Sequence, residues 1–365
     1  MFDWIPVEVY TNVQYYVLLI ISILIIVHAM VFDIKDSKSI AFFNVFGAFF
    51  IILLTIYMGQ RPLSGKYFGD TANYARIYAD LQQGKELIIE KDYLFNYLMQ
   101  FSSNYISIHS FYQFLDILYI LPIFLFSRKY FGKYWFFAFY MFITSFSFWS
   151  YGVNGLRNGL ATSLFVLGLY FYDKKVLMYV CMLLGYFMHA SLIIPIAALL
   201  VSGLYKNPKI YLYIWLLAIP LSLAGGGMWA NFFSSLGFAE DRTQGYLTGG
   251  SDEYNSQFSQ TGFRWDFLLY SASAIFAGWY FIFKKNIIDR FYIHMLGIYC
   301  IANAFWILVI TAAFSNRFAY LSWFLMPAVI AYPMFRYKIW KDQYKVFAVI
   351  LVLYFMFTFF MNVIK

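Results

Sequence analysis

The chain has 365 residues, of which 62% are hydrophobic, 24% aromatic and only 12% charged; soluble domains carry roughly 25% charged residues, so a soluble globular protein is excluded. Apolar segments recur at about the 20-residue length that spans a bilayer, and they run continuously rather than alternating, which excludes a β-barrel. The net charge of +8 would suit nucleic acid, but the basic residues sort by membrane side, and no nucleic acid is expected.

The expected fold class is all-α: a polytopic helical membrane protein forming one integral membrane domain over residues 1–365. The N-terminal MFDWIPVEVY is acidic rather than basic and does not read as a cleavable signal peptide. Apolar runs follow at 13–31, 40–58, 109–127, 134–150, 155–172, 176–203, 210–226, 265–283, 291–313, 316–335 and 345–363. With one of them divided, they make about 11–12 membrane segments. Two long polar stretches interrupt them, 59–92 and 227–263. The first reads as partly helical from Asn73 to Gln83 and leads into an amphipathic segment at 93–104. The second is rich in Gly, Ser, Gln and Asn and reads as a loop. Loops of this length are usually functional or disordered. Cys181 and Cys300 both lie inside apolar runs and suggest neither a disulfide framework nor a metal site. No repeat of about 20–50 residues is present.

Orientation follows from lysine and arginine placement. The short connections around Lys35/Lys38, Arg128/Lys129/Lys133, Lys174/Lys175, Lys206/Lys209, Lys284/Lys285/Arg290 and Arg336/Lys338/Lys341/Lys345 hold 16 of the 26 basic residues and five acids. The remainder of the chain carries ten basic and 13 acidic residues. With the basic connections in the cytoplasm, the N-terminus and both long polar stretches face outward. Lys174/Lys175 and Lys206/Lys209 then lie on one side, so the segment between them crosses an even number of times. It is too short for two helices of about 20 residues. A broken or re-entrant hairpin bending at His189-Ala190-Ser191, with Pro195 beyond, satisfies both constraints and places His189 at the bottom of an outward cavity. One long tilted helix is the alternative.

The polar interruption Asn154-Gly155-Leu156-Arg157-Asn158-Gly159 opens the run 155–172. Asn154, Arg157 and Asn158 share a helix face, and a helix N-terminus with an added guanidinium suits an anion. The alternative is an arginine snorkelling to lipid phosphates. Ser315-Asn316-Arg317 repeats the arrangement, with Ser315 as the cap and Tyr320 one turn on. Two such starts can converge on one multivalent anion, and arginine reads phosphate bidentately. In the first polar stretch, Arg61 precedes Asp70, Asn73 and Tyr74, spaced as one helix face; Asp70 reads equally as an N-cap. Arg76 and Asp80 are expected to pair on the surface. His189 is a candidate phosphate ligand or general base. His28, His109 and His294 read as structural, and Asp116, inside a run, reads as either functional or a pairing partner in the bundle. Arg264 is a further anion candidate. Walker, HExxH, Cys/His-cluster and Asp-x-Asp patterns are all absent, so neither metal nor nucleotide is expected as cofactor. An outward-facing enzyme without nucleotides needs a pre-activated donor, and a lipid-linked diphosphate sugar fits.

The ordered motifs resemble the EpsG-like branch of the Wzy polymerases. Arg61 with Gly69-Asp70 and Tyr74 looks like its first outer loop, although Gly-Asp-Thr stands here where the family more often has Gly-Thr-Asp. Gly155-Leu156-Arg157-Asn158-Gly159-Leu160-Ala161 looks like its central arginine motif. Phe187-Met188-His189-Ala190-Ser191 looks like its histidine-serine motif, and Ser315-Asn316-Arg317 like its late arginine motif. The resemblance implies a glycosyltransferase of the bacterial inner membrane, with its site facing the periplasm. It would move a growing glycan from undecaprenyl diphosphate to the next lipid-linked repeat unit, without metal or nucleotide, alongside membrane lipid and a chain-length regulator. Arg157 and Arg317 would hold the diphosphate, with Asp70 or His189 as base. Arg61 and Tyr74 would shape the entrance, and Asn154, Asn158, Arg264, Asn316 and Tyr320 would contribute to substrate binding. The stretch 227–263 would act as a lid or an acceptor-binding element. An O-antigen ligase and a transporter of lipid-linked sugar are the alternatives.

Overall fold

A computed structural model describes residue 2 and residues 4–235, 262–312 and 315–365; the remainder of the expected lid, and the two residues before Ser315, lie outside them. Among the described residues there are helices and no strands. Among the described residues, eight helical segments are long and apolar enough to cross a membrane, and two more, Lys175–Met188 and Ala190–Leu204, are shorter. The chain is therefore a multi-pass membrane protein. The number of full-length spans is lower than the 11–12 segments expected because polar breaks divide the apolar stretch 134–172 into short pieces.

The chain divides into two compact units, one of residues 1–192 with 334–365, the other of residues 193–333. The first opens with two long helices, α1 (Val7–Val31) and α2 (Ser37–Gly59). The first polar stretch then folds into α3 (Gly65–Phe68), α4 (Thr71–Gln82) and α5 (Tyr93–Ser103). α6 (Ile108–Phe131) is capped by the Ser107 hydroxyl, which accepts from Ser110 N–H at 3.2 Å. Three short helices follow, α7 (Trp135–Ile143), α8 (Phe146–Val153) and α9 (Leu156–Tyr170). The breaks fall at Thr144-Ser145 and Asn154-Gly155, where side chains compete with the backbone ladder or the backbone lacks a Cβ.

α2, α7 and α9 pack against α6, and the core is aromatic: Phe136, Phe139 and Tyr140 are all fully buried. Tyr140 donates to Leu18 O at 2.5 Å and shares a 2.9 Å bond with Ser22, fastening α7 to α1. Polar satisfaction at depth is needed because lipid offers no partner. Two of the basic connections on this unit also meet aromatic rings or carbonyls: Lys129 Nζ reaches Tyr170 O at 2.7 Å and Asp173 at 2.9 Å, and Lys35 Nζ lies 5.5 Å above the Tyr344 ring. The lysine holds the Asp173 carboxyl below its usual range. α10 (Lys175–Met188) ends at His189, whose backbone is extended (φ −158°, ψ 124°).

The second unit contains α11 (Ile193–Leu204), α12 (Pro208–Gly225), α13 (Gly227–Ser235), α14 (Trp265–Trp279), α15 (Arg290–Leu308) and α16 (Asn316–Trp323), and α17 (Met326–Arg336) leads out of it. α18 (Gln343–Phe359) returns to the first unit. α13 shows that the second polar stretch begins as helix, not as loop. The unit is knitted by a polar cluster around Asn303, which is fully buried. Its Oδ1 accepts from Trp215 Nε1 at 2.7 Å; its Nδ2 donates to Ser322 Oγ at 2.9 Å and Ser271 Oγ at 3.2 Å. Trp323 Nε1 adds a 2.7 Å bond to Ser271 Oγ. Four helices, α12, α14, α15 and α16, thus meet through one asparagine.

Candidate functional site

The first unit gathers three of the sequence motifs into one node. α9 begins after Asn154-Gly155, so Arg157 sits in its first turn beside free backbone N–H groups. Arg157 Nη1 donates to Asp92 Oδ2, and Arg157 Nε donates to the Tyr74 hydroxyl at 3.0 Å. The second carboxylate oxygen of Asp92 accepts the Ala190 N–H at 3.2 Å and lies 4.0 Å from His189 Nδ1. Asn158 Oδ1 accepts from the Ser191 hydroxyl at 2.7 Å. The arginine motif, the helix end at His189 and the α4–α5 segment are therefore locked together. The Arg157 side chain is 22% exposed while that of Asp92 is fully buried, so the guanidinium stands in front of the carboxylate.

The break at His189 forms where the sequence places it. Ser191 N–H donates to His189 Nδ1 at 3.2 Å. That bond occupies the Nδ1 lone pair, so a neutral imidazole carries its proton on Nε2 and offers a donor there, not a base. His189 is buried, and it is suited to hold an anion more than to accept a proton. Tyr74 is also buried, and that burial raises its phenol pKa against the opposing pull of Arg157. The phenol stays protonated and can accept from Arg157 while donating elsewhere.

Asp70 occupies the N-cap position of α4 without a side-chain cap bond. Its N–H donates to Asn154 Oδ1 at 2.9 Å, and Thr71 Oγ1 donates to Val153 O at 2.5 Å. Gly69 makes this contact fit: its φ is +52°, and a Cβ there would lie 2.3 Å from Asn154 Oδ1. Asn154 is thus a clamp between α4 and α9. The surface pair expected for Arg76 and Asp80 is replaced by Lys85–Asp80 at 2.5 Å.

Arg61 does not shape an entrance. It is fully buried, pairs with Asp116 at 3.1 Å, donates to Met58 O at 2.6 Å and lies 4.4 Å over the Tyr112 ring. The Tyr112 hydroxyl donates to Thr71 O at 2.6 Å. The pairing reading of Asp116 holds, and the pair braces α2 and α6 beneath the start of α4. Tyr74, likewise expected at an entrance, is buried at the node. His28 shares a 2.9 Å bond with Ser39, and His294 one of 2.9 Å with Leu199 O, as structural histidines do.

Arg317, Asn316, Tyr320 and Arg264 belong to the second unit. Arg317 is exposed in the first turn of α16, where Ser315 occupies the cap position without a side-chain cap bond. Asn316 Nδ2 donates to the Tyr320 hydroxyl at 3.2 Å. Arg264 is bound bidentately by Asp266, at 2.9 and 2.7 Å, and stacks 3.7 Å over Phe267. Its charge is matched locally, which removes the case for a free anion site there. Among the described residues no three His, Cys, Asp or Glu side chains come together as a metal-binding group.

The EpsG family model matches residues 44–365. The chain belongs to the EpsG family. That match runs from within α2 to residue 365 and contains every residue of the node. The family brings with it a role of the polysaccharide polymerase type in polysaccharide biosynthesis. No curated protein and no solved structure matches the chain.

In this EpsG-family chain one member of the node, Asp92, escaped the sequence reading. It ends the first polar stretch and immediately precedes the amphipathic helix, where an acid reads as an unremarked cap. Its backbone is left-handed (φ 52°, ψ 44°), a conformation uncommon outside glycine, asparagine and aspartate. Nothing in periodicity or spacing signals that. The signal available was arithmetic: a guanidinium at membrane depth needs an anion, and Asp92 is an acid flanked by apolar helix.

Proposed function

We propose that the chain is a glycosyltransferase that polymerises lipid-diphosphate-linked oligosaccharide repeat units, with the Arg157–Asp92–His189 node as the donor site. The node carries this reading. A planar guanidinium at a helix start and the Ala190 backbone N–H converge on one carboxylate, and such a pair suits a phosphate oxygen equally well. The donor would be a growing glycan on undecaprenyl diphosphate and the acceptor the next lipid-linked repeat, in the bacterial inner membrane with the site facing the periplasm. The absence of Walker and Asp-x-Asp patterns from the sequence supports a donor that needs neither nucleotide nor metal.

Charge accumulates on the diphosphate as the glycosidic bond breaks. Arg157 would stabilise it, and His189 would donate a hydrogen bond from Nε2. The acceptor hydroxyl loses its proton as its oxygen attacks the anomeric carbon; of the two candidate bases, Asp70 and His189, Asp70 is the one with a carboxylate to take it. Asn154 and Asn158 act through Asp70 and Ser191 and are positioning residues.

The test is conversion of lipid-linked repeats into longer chains by purified protein in lipid vesicles. Product length increasing by whole repeats is the expected result. Transfer only to a lipid A-core acceptor would make the protein a ligase, and movement of intact lipid-linked sugar across the vesicle without bond formation would make it a transporter.

A further inference from the structure

Asp92 has no role in the bond-breaking step above, yet it is the most constrained side chain of the node. It is fully buried, its backbone is left-handed without being glycine, and both its oxygens are engaged by Arg157 and the Ala190 N–H. Backbone strain of this kind persists where the surroundings over-determine it. Its carboxylate occupies the position that a phosphate oxygen would take between those donors.

We propose that Asp92 is a specificity-determining residue: an internal anion that keeps Arg157 closed to the singly charged phosphodiesters of bulk membrane lipid and yields to a doubly charged lipid diphosphate. This rests on the donor-site reading of Arg157. A partly exposed arginine at the end of a membrane helix lies within reach of lipid phosphates, and left bare it pairs with them. Asp92 changes the balance. A singly charged phosphodiester replaces one anion with another and strands a buried carboxylate, which is costly. A diphosphate carries a second charge, and the extra interaction offsets that cost. Selectivity thus comes from an unfavourable term against the wrong ligand as much as from contacts to the right one.

Asp92→Asn separates charge from shape. Asparagine tolerates the left-handed backbone and keeps an oxygen to accept from Ala190 N–H, while the competing charge is gone. Undecaprenyl diphosphate binding is measured for wild type and variant in nanodiscs of phosphatidylcholine, then with phosphatidylglycerol replacing it stepwise. The wild-type affinity is expected to be unmoved by phosphatidylglycerol. The variant is expected to bind about tenfold more tightly in phosphatidylcholine, since close charge pairs couple strongly, and to lose that gain as phosphatidylglycerol rises. An Arg157→Gln/Asp92→Asn double variant should show no gain. A variant that binds no more tightly, or one as indifferent to phosphatidylglycerol as the wild type, overturns the proposal. The wild-type arm is independent of any variant's folding: competition by phosphatidylglycerol there overturns the proposal by itself, while polymerisation leaves the donor site standing. Wild type that binds no undecaprenyl diphosphate in either lipid overturns the donor assignment, and this inference with it.

Discussion

Replacing Arg157 by lysine keeps the charge and removes the planar fork. In the native node, Nη1 engages Asp92 while Nε engages the Tyr74 hydroxyl at 3.0 Å. A single ammonium on a flexible stem serves one of these in a given geometry. The Tyr74 hydroxyl is buried, and a buried polar group left short of a partner costs about 1–3 kcal/mol. That is a fraction of total stability, so the protein should accumulate normally in membranes. The chemical step loses more. One donor aimed at developing charge is worth about 2.7–4 kcal/mol, a rate loss of about 10²–10³. The assay is the chain-length distribution of glycan in a deletion strain carrying the variant, alongside initial rates with purified protein and lipid-linked repeats. Polymer should vanish from the gel at unchanged protein level. A rate within about threefold of wild type, less than 1 kcal/mol, would refute the diphosphate role of Arg157.

The buried Arg61–Asp116 pair predicts an asymmetry: Arg61→Met or Asp116→Leu alone should cost about 3–5 kcal/mol by stranding the other charge, while the double variant recovers most of that loss, read as melting temperature in detergent. Gly69→Ala forces a Cβ against Asn154 at a backbone conformation worth about 1–3 kcal/mol of strain; turnover should fall at nearly constant protein level, and a fully active variant would remove Asn154 from its clamping role. Lys206→Cys, on the exposed turn between α11 and α12, should be labelled by a membrane-impermeant thiol reagent only from the cytoplasm. The native thiols Cys181 and Cys300 are buried and add little background; labelling from outside would favour a single crossing between Lys175 and Lys206 over the hairpin.

Much of the architecture was legible because apolar run length and polar breaks have direct physical causes. The helix expected from Asn73 to Gln83 spans Thr71–Gln82, the amphipathic segment expected at 93–104 spans Tyr93–Ser103, and the break at His189 falls where the charge rule demanded an irregularity. What the sequence concealed are the partners of charges. Arg61, Asp70 and Tyr74 read as one loop motif, but Arg61 turns inward to Asp116, 55 residues away, while Tyr74 turns to Arg157. Long-range pairing leaves no periodic trace. Arg264 shows the reverse: its partner Asp266 is only two residues away, yet an arginine at a helix start reads as an anion site as readily as one half of a local ion pair.

The Arg61–Asp116 pair also bears on how the protein is made. Asp116 lies within α6, and a lone carboxylate at the centre of an inserting helix costs about 2.5–3.5 kcal/mol on insertion scales. Arg61 closes α2, which leaves the ribosome first. Secure insertion of α6 is therefore conditional on α2 being already in place and correctly oriented. A nascent chain that has lost α2, or threaded it backwards, would present an unmatched acid to the insertion machinery and to membrane proteases. The pair that braces the finished bundle thus doubles as an order-of-assembly checkpoint during synthesis.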